Sequence, residues 1–163
     1  MESRKPEVKA PTPEVEPAPL SGGQGAGAAG SPAAGGAPTV RVNSVRLVRR
    51  LGYRKARELL ESKDFNFKYI VGWAEFDAFG GYYVDVEKKL CLYLHYNDRT
   101  GTSNSALYEF DDIDELANWI WRSQAGTIPF AKIRRAFKYV LNVDVQMSPE
   151  NQVIRLLFGE ATR

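Results

Sequence analysis

All 19 aromatic side chains of this 163-residue chain lie beyond position 40. Ordering backbone costs roughly 1–2 kcal/mol per residue, and a segment without large apolar side chains cannot bury enough surface to offset it. Residues 1–40 are therefore expected to be a disordered Pro/Ala/Gly-rich tail and residues 41–163 a single α+β domain; about 120 residues is an ordinary size for one self-sufficient core. Within the tail, Pro6, Pro11, Pro13, Pro17 and Pro19 favour extended polyproline-like backbone, whereas Ser21 to Gly36 reads as a flexible spacer.

No run of eighteen apolar residues exists, and the start MESRKPEVK has no apolar stretch that could serve as a secretory signal. The expectation is a soluble, cytoplasmic protein with no membrane partner. Cys91 is the only cysteine and His95 the only histidine, so an intrachain disulfide is impossible and a Cys/His zinc site within one chain is disfavoured. No metal or other cofactor is expected.

Asn43-Ser44 would cap an N-terminal helix over about 44–62, in which Val45, Val48, Leu51 and Leu59 recur at near-helical spacing. Gly52 interrupts it, and a break into two short helices is the alternative. From Phe65 the period becomes two, and FKYIVGWAEFD, GYYVDVE, KLCLYLHYN and SALYEFD read as four strands. Gly80-Gly81 is the expected turn between the first two, Glu87 to Lys89 turns the second into the third, and Asn97 to Asn104 is a longer loop. Short connections imply a four-stranded antiparallel meander.

Three helices should follow. The first is capped by Asp111-Asp112, with acidic residues in its first turn; the second starts at Thr127-Ile128-Pro129; the third, about Pro149 to Phe158, is capped by Ser148 and stopped by Gly159. In the last helix Val153, Ile154, Leu157 and Phe158 are expected to face inward. Strands and helices so segregated predict an α+β fold with the three C-terminal helices packed on one sheet face.

Charge is distributed unevenly. Residues 41–63 carry a net +6, residues 64–127 a net −6 and residues 128–163 a net +3, with the tail at −1. Arginine forks match phosphate oxygens, so the basic segments suggest a nucleic-acid surface: Arg46, Arg49, Arg50, Arg54 and Arg57 on the first helix, and Arg134, Arg135 and Lys138 on a later one. This reading requires the two basic helices to share a surface. A helix-turn-helix over Leu47 to Leu60 fails because Glu58 falls where the motif needs a buried apolar residue.

Other constellations carry less. Tyr69, Trp73, Tyr83, Tyr93, Tyr96 and Tyr108 on strands could be a base-stacking platform, although core packing uses the same residue types in the same places. Asp77 with Glu87 and Lys89 imitates the spacing of a metal-dependent nuclease, but Glu87 to Lys89 sits where a hairpin should turn. Cys91 and His95 share a strand face yet lie some 13 Å apart. The expected function is a non-enzymatic accessory domain binding nucleic acid, or a nucleic-acid-processing complex, through its basic helices. The alternative is a protein–protein adaptor, or small subunit of a larger complex, with a tethering tail.

Overall fold

The computed structural model describes residues 44–160; the expected tail disorder, Arg41 and Arg163 lie outside them. The alternating segment from Lys68 onward forms the expected antiparallel meander: β2 (Lys68–Ala74), β3 (Ala78–Asp85), β4 (Leu90–Asn97) and β5 (Ser105–Glu109) pair in succession. The predicted N-terminal helix is only half a helix. Arg46–Leu51 is a strand, β1, and helix α1 runs Tyr53–Glu61 behind a Gly52 whose extended backbone (φ −77°, ψ 170°) separates them. β1 pairs antiparallel with β5, giving a five-stranded sheet of order β1-β5-β4-β3-β2. A four-stranded meander would have left the polar edge of β5 bare, and that unpaired ladder outweighs the helical spacing of Val45, Val48 and Leu51.

The glycine turn is also corrected. Gly80 and Gly81 lie inside β3, and the chain reverses at Glu75–Asp77 instead, where the Glu75 N–H donates to the Ala78 carbonyl (2.8 Å). A Cβ on Gly80 would collide with the Tyr93 hydroxyl and the Trp73 indole nitrogen, which hydrogen-bond across it (3.1 Å). These glycines make room for rings rather than for a bend.

Alternation sorts the sheet into two faces. Tyr82, Val84 and Cys91 point to one, where they pack with Leu116, Trp119 and Ile120 of α2 (Ile113–Ser123) and with Ile133 and Phe137. Trp119 meets the Tyr108 ring at 4.5 Å, and Gln124 Nε2 donates to the Tyr82 hydroxyl (2.6 Å). Leu92, Leu94 and Leu107 point to the other face and pack with Ala56, Leu59 and Leu60 of α1. Helices thus cover both sides of the sheet. The expected packing on one face holds for α2 and α3, while α1 lies opposite over β4, β5 and β1.

The helix expected to start at Thr127-Ile128-Pro129 has Pro129 as its N-cap and is α3 (Phe130–Ala136), which continues through one wider, π-type turn, Phe137–Leu141. Asn142 ends it in the left-handed conformation (φ 59°). Two of the caps read from sequence act as expected, while Ser44 precedes a strand and caps no helix: the Asp112 side chain accepts from the Asp114 N–H, and Ser148 Oγ accepts from the Asn151 N–H at the start of α4 (Pro149–Phe158). Gly159 stops α4 at φ 79°, a region that favours glycine.

Candidate functional site

The cations proposed from sequence do not converge. Arg46, Arg49 and Arg50 lie on the edge strand β1, and Arg54 and Arg57 on α1; Arg134 and Arg135 are on α3 and Lys138 on its π-type turn. α3 and its extension pack on β2, at the opposite edge and on the opposite face from α1. The two basic groups therefore look outward from different sides of the molecule. Some are also engaged internally: Arg46 bonds Glu109 (3.0 Å) and Asp111 (2.9 Å), contacts that raise its pKa, and Arg57 bonds the Tyr53 hydroxyl and Glu61 (both 3.0 Å). Arg49 and Arg50 have no ion-pair partner among the described residues, and charge on an edge strand guards against pairing with other chains.

What the fold does assemble is a groove of about 580 Å³ between α3 and α4. Arg134, Arg135, Lys138 and Arg155 line it, against a single carboxylate, Asp144, with Phe130 and Met147 as apolar lining. Asp144 binds Arg134 (3.0 Å), which holds its carboxyl below the usual range. Arg155 reaches Glu160 (3.3 Å), while Arg135 and Lys138 have no ion-pair partner within 4 Å among the described residues. Arg155 was not a candidate in the sequence, since no pattern there says that α4 lies beside α3.

Beside the groove stands the feature that contradicts the sequence reading most directly. Of the α4 residues expected to face inward, only Ile154 packs partly on the core; Val153, Leu157 and Phe158 are exposed, as is Leu156 at 86 %. Tyr139, on the π-type turn, is 90 % exposed. Val153, Leu156 and Leu157 fall at i, i+3 and i+4 and so share one stripe.

Polar contacts hold α4 in this orientation. The buried Asn151 donates to Asn118 Oδ1 (2.9 Å), which also accepts from the Ser148 N–H (2.7 Å), and Asn118 Nδ2 donates to the carbonyls of Asp114 and Gln146 (both 2.8 Å). At the other end Glu160 accepts from the Trp121 indole (2.7 Å) and the Phe130 N–H (2.8 Å). Buried polar groups satisfied this fully fix the rotation of α4 with its apolar stripe outward.

The remaining candidates separate. Asp77 lies in the turn before β3, bonded to Arg99 (2.8 Å), whereas Glu87 lies beyond its other end, some 30 Å away at the strand rise. Glu87, Lys89 and Asp77 thus cannot share a cation. Among the described residues no cluster of three His, Cys, Asp or Glu could hold a metal. Cys91 is fully buried and its thiol is pushed up, away from reactivity; His95 is half-buried, with Nδ1 accepting from the Asn104 N–H (2.9 Å) and burial lowering its pKa. Of the six strand aromatics, Trp73, Tyr93 and Tyr108 belong to the α2 face, and Tyr69, Tyr83 and Tyr96 to the α1 face. Acidic residues around Asp111 to Glu115 serve as cap, first turn and ion-pair partners.

No protein family, curated protein or solved structure matches this chain. No helix among the described residues is long and apolar enough to cross a membrane.

Proposed function

We propose that this chain is a non-catalytic interaction module whose α3–α4 surface seats an acidic, amphipathic segment of a partner protein. The observation that carries this reading is the outward apolar stripe of α4, held out by the Asn118–Asn151 contacts and bordered by a cationic groove. Covering such side chains is worth roughly 1.5–3 kcal/mol each, so the exposed stripe of Val153, Leu156 and Leu157 marks a surface that gains from a partner. Charge narrows the chemistry. A second copy docked face to face would bring Arg134, Arg135, Lys138 and Arg155 near their own images, whereas carboxylates on a partner would meet them favourably.

Nucleic acid is the second reading, supported by Arg135 and Lys138, which have no acidic side chain within 4 Å among the described residues, although Asp144 acts on Lys138 at longer range. It accounts less well for the site, because a phosphate backbone on these cations would leave Leu156, Leu157 and Phe158 in water.

Fluorescence anisotropy of the full chain with two probes tests both. One probe is a model helix with leucines at i, i+3, i+4 and i+7 and glutamates elsewhere; the other is a single-stranded oligonucleotide. The proposal expects the helix to bind, the Leu156→Gln/Leu157→Gln variant to lose it, Arg135→Glu/Lys138→Glu to weaken it, and Arg49→Glu/Arg50→Glu to leave it unchanged. Steeply salt-dependent oligonucleotide binding, indifferent to the leucine changes, would install the second reading instead.

A further inference from the structure

The α1 face is only half covered. α1 lies over β4, β5 and β1, and the β2–β3 half of that face carries a shelf of aromatic rings. Gly72 and Gly81 face each other across β2 and β3, and the Tyr69 ring lies over them, its Cε1 3.1 Å from where a Gly81 Cβ would stand. Tyr69 remains 51 % exposed. Tyr83 meets it edge-on (centroids 5.4 Å apart, 66° between planes), and Phe79, itself partly exposed, meets Tyr53 of α1 the same way (6.2 Å, 74°). Arg57 stands at the α1 wall, its guanidinium 5.8 Å from the Tyr53 centroid. Exposed ring faces beside upright ring edges are the surface on which proline rings pack, and a polyproline helix meets it with its ordering entropy already low.

We propose that this shelf is a polyproline-reading site and that its occupant is the chain's own segment Pro11–Pro19, PTPEVEPAP, which lies outside the described residues. Three physical matches support the assignment. The first is length: nine residues of polyproline helix span about 28 Å at 3.1 Å per residue, and the eight residues of β3 span roughly 26 Å.

Reach is the second. From β1 to β2 is four strand spacings, roughly 19 Å, and because the described chain begins at Ser44, whose N–H bonds Glu115 of α2, the path also rounds the sheet edge; 24 residues, the number from Leu20 to Asn43, would span about 27 Å root-mean-square as a random chain. A tether whose span matches the distance gives an effective concentration in the millimolar range, enough to populate a contact that is weak between separate molecules. The third is charge. Arg57 can receive Glu14 or Glu16, but one cation already bonded to Glu61 does not suit a run of phosphates, which disfavours single-stranded nucleic acid on this shelf.

The deciding experiment compares amide and ring NMR shifts of the full chain with those of a full chain carrying Pro11→Ala, Pro13→Ala, Pro17→Ala and Pro19→Ala. Every domain residue stays native in that variant, so misfolding cannot mimic the result. Within the domain, the expected outcome is a set of shift differences confined to β2, β3 and the first turn of α1, unchanged by dilution. Adding a synthetic peptide of residues 6–20 at millimolar concentration to the alanine variant should restore the native domain shifts, and Tyr69→Ala should abolish that restoration where Tyr69→Phe retains it. Identical spectra, differences centred on α3–α4, or differences that vanish on dilution would each overturn the assignment.

Discussion

Helices α1 and α4 are almost equal in length, nine and ten residues, and both are amphipathic, yet they place their apolar side chains oppositely. α1 buries Ala56 completely and packs Leu59 and Leu60 on Leu92, Leu94 and Leu107. α4 turns Val153, Leu156, Leu157 and Phe158 to solvent and buries an asparagine. An apolar stripe therefore says that a helix has a docking face, not what that face docks on. For α1 the partner is the sheet of its own domain; for α4 we assign it to another molecule.

The contrast is open to attack by mutation. Leu92→Ala removes the floor beneath α1 and should cost about 2–5 kcal/mol in urea unfolding, the largest loss expected of these changes. Asn151→Ala should cost about 1–3 kcal/mol and raise amide exchange over 149–158, because Asn118 loses a buried partner. Should Leu156→Ala prove more destabilising than Asn151→Ala, α4 is held by its apolar face and the contrast collapses.

A smaller effect is expected at the sheet end where His95 packs near Trp73. Burial lowers the folded-state pKa of His95 below its ordinary 6.5, so the unfolded chain takes up its proton first as pH falls. The associated stability is complete above about pH 6.5 and is lost as pH falls through the folded-state value; His95→Gln should flatten that part of the stability–pH curve. Smallest of all, Leu156→Gln/Leu157→Gln should change unfolding stability by no more than ~0.5 kcal/mol, since both side chains are already in water. A loss comparable to Leu92→Ala would show that the stripe is part of the fold.

Much of the architecture was legible in local chemistry. Period-two runs became strands, Asp112 and Ser148 became caps, and Gly159 became a stop, because each depends on residues only a few positions away. The failures share a cause. Arg46–Leu51 has a helical spacing but is recruited by the free edge of β5, nearly sixty residues downstream. Gly80-Gly81 has the composition of a turn but answers to Trp73, Tyr69 and Tyr93 on neighbouring strands. The candidate site suffered the same way: Arg134, Arg135 and Lys138 were found, whereas Arg155, and the separation of this group from Arg49, Arg50 and Arg54, depend on which helix packs on which face.

Sequence by itself determined the α+β class, the meander of β2 to β5, the caps of α2 and α4 and the separation of an aromatic-free segment from an aromatic-rich one, all consequences of periodicity and composition. Tertiary structure alone decided the fifth strand, the two-sided covering of the sheet and the outward face of α4. The physical reason is that backbone preferences act over a few residues, while an unpaired strand edge or a pair of buried asparagines is satisfied only by groups that the chain brings together when it folds.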